Sequence, residues 1–88
     1  MESTFERVRD IIAKSFDLPP ELITPHASLE SLGIDSLGLA EVLFGIEDEF
    51  QVMLPPEPAL LSEVSEVVNY VDALVAWRAP YSLNASQR

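Results

Sequence analysis

Gly33-Ile34-Asp35-Ser36-Leu37, running on as Gly38-Leu39-Ala40-Glu41-Val42-Leu43-Phe44-Gly45-Ile46-Glu47-Asp48-Glu49-Phe50, is the stretch on which the fold turns. Asp35 suits an N-cap, because a short carboxylate accepts from the unpaired N–H groups of a first helical turn. A helix is therefore predicted from Ser36 to about Phe50. With residues about 100° apart around the axis, Leu39, Val42, Leu43, Ile46 and Phe50 share one side and form a core stripe. Leu37, Ala40, Glu41, Phe44, Glu47 and Asp48 centre on nearly the opposite side. Leu37 and Phe44 are apolar there, where a core is not needed. Two readings stay open for this helix alone: an outward docking face, or a central helix covered all round by its neighbours.

Towards the N-terminus, Ser3 followed by Glu6 is a capping-box pattern, so a first helix begins near Thr4. Phe5, Val8, Ile12 and Phe16, with Ile11 beside them, supply its apolar face, and Pro19-Pro20 is expected to end it. A long connection follows, roughly Asp17 to Asp35, with turn formers at Pro25 and Gly33. Leu18, Leu22, Ile23, Leu29 and Leu32 recur in it, which implies a loop packed onto the core. A loop of this length carries a function or short helices of its own.

Towards the C-terminus, Pro55, Pro56 and Pro58 interrupt the chain after Leu54. A short third helix fits near Glu57 to Leu61, since proline is tolerated in a first helical turn. Ser62 is the expected N-cap of the last helix, whose stripe is Val64, Val67, Val68, Val71, Leu74 and Val75. Valine lowers intrinsic helix propensity, so packing must hold this helix. Pro80 is expected to stop it, and Tyr81 to Arg88 reads as a disordered tail. The fold class is all-α: a small four-helix bundle, three main helices plus one short helix, with a long first connecting loop. Residues 1–78 make the domain and 79–88 the tail.

Composition narrows the function. In 88 residues, 48% of them hydrophobic, there is enough for one core and little room for an enclosed active site. No apolar run is long enough to insert into a membrane, and the first residues lack a secretory pattern, so the expected location is cytoplasmic. Cysteine is absent, which removes disulfides and thiolate metal sites. Five Lys+Arg against fifteen Asp+Glu give a formal net charge of −10, and no Lys or Arg lies between Lys14 and Arg78. Such a surface repels nucleic acid and anionic membranes and attracts proteins with basic patches. Plain solubility is the other reading of the same acids. Like-charged copies repel, so a monomer is expected.

The Leu32-Gly33-Ile34-Asp35-Ser36-Leu37 motif precedes an acidic helix closing in Glu47-Asp48-Glu49-Phe50. The Leu54-Pro55 break and an apolar last helix with Tyr70 follow. From Thr4 to Trp77 this layout resembles the acyl carrier protein family. The resemblance implies a carrier and not an enzyme, with no catalytic residue and no metal. Ser36, flanked by Asp35 and Leu37, would be the residue to which a phosphopantetheinyl transferase attaches a 4′-phosphopantetheine arm from coenzyme A. The arm's thiol would hold acyl intermediates as thioesters, for fatty-acid, polyketide or specialised lipid biosynthesis. Leu37, Ala40, Glu41, Phe44, Glu47 and Asp48 would meet basic docking patches on the transferase and on acyl-processing enzymes. Two residues depart from the family pattern. Gly38 replaces an acidic residue and takes a charge off that face, and Phe44 is bulkier than the usual aliphatic residue.

A phosphodiester on Ser36 would sit at a helix N-terminus, where free N–H groups and the dipole favour an anion by roughly 0.3–1 kcal/mol. Acyl chains enter the bundle in some family members. Val42, Ile46, Val64, Val68 and Val71 are candidates to line such a space, with ordinary core packing the preferred reading. A peptidyl or aminoacyl carrier shares the arm, and a helical interaction module that is never modified is a further alternative. A serine hydrolase would need His26, the only histidine, as base with no evident oxyanion hole. Glu47-Asp48-Glu49 are consecutive on a helix and diverge, so no metal site is expected from them.

Overall fold

The computed structural model describes residues 2–55 and 60–86, with side chains up to residue 77. Its described residues hold three α-helices and two 3-10 turns, and no strand. The first helix, α1, spans Thr4–Phe16 and opens with the expected reciprocal cap. Ser3 Oγ accepts from the Glu6 N–H at 3.2 Å, and the Glu6 carboxylate accepts from the Ser3 N–H at 2.8 Å. The helix ends before Pro19-Pro20 are reached. Asp17 takes a left-handed conformation, φ 55°, and its N–H closes on the Ala13 carbonyl. The prolines instead shape the first 3-10 turn, Pro20–Leu22.

The second helix, α2, covers Ser36–Phe50 as the pattern requires, and Gln51 ends it with the same left-handed turn, φ 56°. Val42, Ile46 and Phe50 of its stripe are buried, while Leu39 and Leu43 are half-buried against the same core. The third helix, α3, spans Val64–Ser86. It starts after Glu63, so Ser62 does not cap it. The first N–H groups of α3, on Val64 and Ser65, bond instead to Ala27 O and Pro25 O. The Glu66 carboxylate folds back to accept from the Ser62 N–H at 2.6 Å, the Ser62 hydroxyl at 2.9 Å and the Glu63 N–H at 3.2 Å. Nor does Pro80 stop α3, which continues to Ser86. Proline's fixed φ is itself helical, so the backbone can proceed at the cost of one missing donor. Of the short helix expected near Glu57 to Leu61, residues 56–59 lie outside the described residues, and Leu60 and Leu61 are not helical.

The α1 helix packs against both α2 and α3. Val8, Ile12, Ile46, Val64, Val67 and Val71 are fully buried where they meet. Each such side chain removes apolar surface worth about 1.5–3 kcal/mol from water, which is what holds a valine-rich helix together. The long connection joins this core through Ile23, Leu29 and Ile34, while Leu22 turns outward at 56% exposure. Backbone bonds staple it to the head of α3: Leu29 N–H to Ser62 O at 2.8 Å, Val64 N–H to Ala27 O at 3.1 Å, and Ser65 N–H to Pro25 O at 2.8 Å. A second 3-10 turn, Glu30–Leu32, delivers the chain to the start of α2. No helix among the described residues is long and apolar enough to cross a membrane.

Candidate functional site

Three consecutive residues shape the approach to Ser36. Gly33 sits at φ 80°, a left-handed position where a Cβ would be strained, and turns the chain out of the second 3-10 turn. Ile34 then plugs into the core at 5% exposure, its N–H bonded to Leu29 O at 2.9 Å. Asp35 is extended, and its side chain accepts from the Gly38 N–H at 2.8 Å while its carbonyl accepts from the Leu39 N–H at 2.8 Å. A cap of this kind is worth about 0.5–2 kcal/mol. Ser36 is thereby the first residue of α2, and it is exposed.

Beside it lies a cleft of about 460 Å³, to which Asp35 and Ser36 contribute along with Leu29, Ile34, Leu39 and Leu60. Leu60 is 96% exposed, and nothing in the sequence pattern singled it out. The candidate acyl-lining residues do not reach this cleft. Val42, Ile46, Val64 and Val71 are buried, Val68 is packed against the core, and none of them is part of the cleft wall.

The far side of α2 is open to solvent. Leu37 is 71% and Phe44 66% exposed. Glu41 and Asp48 are exposed, whereas Ala40 and Glu47 are half-buried. This excludes the central helix covered all round. Glu47 is partly committed elsewhere, because its carboxylate accepts from the Leu54 N–H at 3.0 Å and ties down the chain after α2.

Gly38 is not on that face. It is buried, and a Cβ built on it would meet Phe16 Cζ at 3.1 Å and Ile34 Cγ2 at 3.2 Å. The expected removal of a charge from the docking surface is therefore corrected: position 38 points inward, at the end of α1. The signal was present, since Gly38 stands one turn before Val42 and two before Ile46 on the core stripe.

Electrostatics around the site are simple. Ser62 and Glu63 donors hold the Glu66 carboxyl below the usual glutamate range, first through the Ser62 N–H, then the Ser62 hydroxyl, then the Glu63 N–H. At the other end Glu2 is pushed up, mainly by a shared hydrogen bond with Asp10 and by its charge. His26 is exposed and its Nδ1 lies 4.0 Å from Glu63 Oε1. It is no part of the cleft at Ser36, so a serine–histidine pair has no geometric support. Among the described residues no group of three or more His, Cys, Asp or Glu is arranged to hold a metal ion.

Residues 6–73 match the family model described as the phosphopantetheine attachment site. The chain is similar to an acyl carrier protein of Campylobacter fetus, with 32% identity over 74 residues, 82% of this chain and 96% of that one. An acyl carrier protein of Clostridium acetobutylicum shares 39% identity over 71 residues, 78% of this chain and 92% of the relative. Similarity extends to "Acyl carrier protein AcpXL" of Brucella melitensis, 40% identical over 58 residues, 65% of this chain and 62% of that protein. With the motif, the helices and these relatives in agreement, the chain belongs to the acyl carrier proteins, which hold acyl groups as thioesters on a phosphopantetheine arm.

Proposed function

We propose that Ser36 is the residue that bears the arm, and that the outward side of α2 is what the loading and acyl-processing enzymes read. The observation that carries this is an exposed serine as the first residue of a helix, beside a cleft whose apolar wall is leucine and isoleucine and whose polar wall includes Ser28, Glu30 and Ser62. An anionic linkage there is favoured by the free N–H groups of the first turn. Asp35 sets where α2 begins and so where the hydroxyl points, and Leu37 follows it as an exposed apolar contact. Leu37 and Phe44 serve as anchors, with Ala40 between them giving a flat approach. Glu41, Glu47 and Asp48 draw in basic patches. The chain carries and does not catalyse. It serves fatty-acid, polyketide or specialised lipid biosynthesis as a cytoplasmic monomer, with residues 1–78 as the working domain. Relatives named as acyl carriers favour acyl cargo over aminoacyl cargo.

Incubation with coenzyme A and a phosphopantetheinyl transferase of broad specificity tests the assignment. The intact mass should rise by one arm, and Ser36→Ala should abolish the gain. Glu41→Lys should raise the KM of loading and weaken its dependence on ionic strength. Loading of the Ser36→Ala chain would refute the site. Unchanged kinetics for Glu41→Lys would remove the docking role of that side.

A further inference from the structure

From the contact between the end of α1 and the first turn of α2, we infer that Phe16 is a positioning residue for the loading of Ser36. The inference rests on the assignment of Ser36 above. Phe16 is the last residue of α1, and its ring edge stands where a side chain at position 38 would be: Cζ 3.1 Å and Cε1 3.2 Å from an ideal Cβ on Gly38. Gly38 is buried, and its N–H is the one that Asp35 captures at 2.8 Å. Ile34 closes the third side, its Cγ2 3.2 Å from the same point. The first turn of α2 is thus held by the Asp35 carboxylate through its N–H and by an aromatic edge against bare backbone.

Ser36 lies between these two supports in the chain. It is exposed and lies outside the core cluster. Gly38 has no side chain of its own to fill the space the ring occupies. Loss of the ring therefore leaves the first turn unsupported on that side and widens the range of positions the hydroxyl samples. Transfer to a hydroxyl demands close alignment, and small misplacements cost far more rate than binding. A ring that acts on orientation lowers turnover at saturating carrier. A ring that merely contacts the transferase raises KM instead.

The experiment loads the full chain from coenzyme A and compares Phe16→Ala, Phe16→Leu and Val8→Ala, the last a fully buried core change on the same helix. Phe16→Ala should lower kcat for arm transfer about tenfold with KM within about twofold, and Phe16→Leu should recover most of the loss. Val8→Ala should load at the wild-type rate below its melting temperature. Amide exchange at Gly38 and Leu39, both bonded to Asp35, should quicken about tenfold more in Phe16→Ala than in Val8→Ala. Wild-type kcat in Phe16→Ala, a rise in KM alone, or an equal slowing by Val8→Ala overturns the role of Phe16 while leaving Ser36 in place. A wild-type chain that takes up no arm, or a Ser36→Ala chain that does, overturns the assignment of Ser36 and the inference with it.

Discussion

Glu66 illustrates how much a single exposed carboxylate can organise. It gathers three donors from the two residues just before α3 and is held below the usual glutamate range by those same bonds. A folded-state pKa that is lowered adds stability that is complete above the unfolded value, near pH 4.5, and is lost as pH falls through the lowered one. Denaturation curves across that window should show wild type losing its advantage over Glu66→Gln as acid is added. A constant difference between the two would mean the bonds contribute nothing as charge-assisted interactions. Glu2 works in the opposite sense, since its raised value makes folding less costly as it protonates. Local caps of this type are partly legible from sequence. Ser3 with Glu6 and Asp35 with its helix were plain, because each motif closes within one turn. Glu63 and Glu66 hold the same spacing, but the Ser62 hydroxyl nearby offered an equally good pattern.

Between elements, apolar contact outweighs charge. Arg7 reaches from α1 to Glu49 at the end of α2, with Nη2 3.0 Å from Glu49 Oε2 and 3.1 Å from the Glu49 carbonyl oxygen. Its guanidinium also lies 4.1 Å over the Phe50 ring. Both partners are about a third to half exposed, so the ion pair is screened and worth about 0.2–1 kcal/mol. Ile12, fully buried in the same helix, should cost about 2–5 kcal/mol when cut to alanine. A double-mutant cycle on Arg7→Ala and Glu49→Ala, set beside Ile12→Ala in urea, checks the ranking. A coupling energy above the Ile12 loss would reverse it. Helical periodicity made the stripes of α1, α2 and α3 readable. It failed where one element decides the meaning of another: Gly38 as a seat for Phe16 is a long-range fact, and Leu60 gains its meaning only when the loop brings Leu29 and Ile34 beside Ser36.

At the level of the whole molecule, fifteen acids against five bases press outward on a small core. Added NaCl or Mg²⁺ should therefore raise the melting temperature by several degrees, with the larger effect from the divalent ion at equal ionic strength. A flat or falling curve would show that the acids lie too far apart to repel. The bases are also unevenly spread. Among residues with described side chains, Arg7, Arg9 and Lys14 are the lysines and arginines, and all three ride on α1. The α2 helix carries four acids and no base: Glu41 and Asp48 face solvent, while Glu49 reaches Arg7 of α1 and Glu47 holds the Leu54 N–H. Since Glu6 and Asp10 accompany the three bases, α1 is nearly balanced, and the net negative charge is weighted towards the α2 flank. In the field of a positively charged body that imbalance exerts a torque, which turns the α1 flank to trail and the α2 flank to lead before any atoms touch.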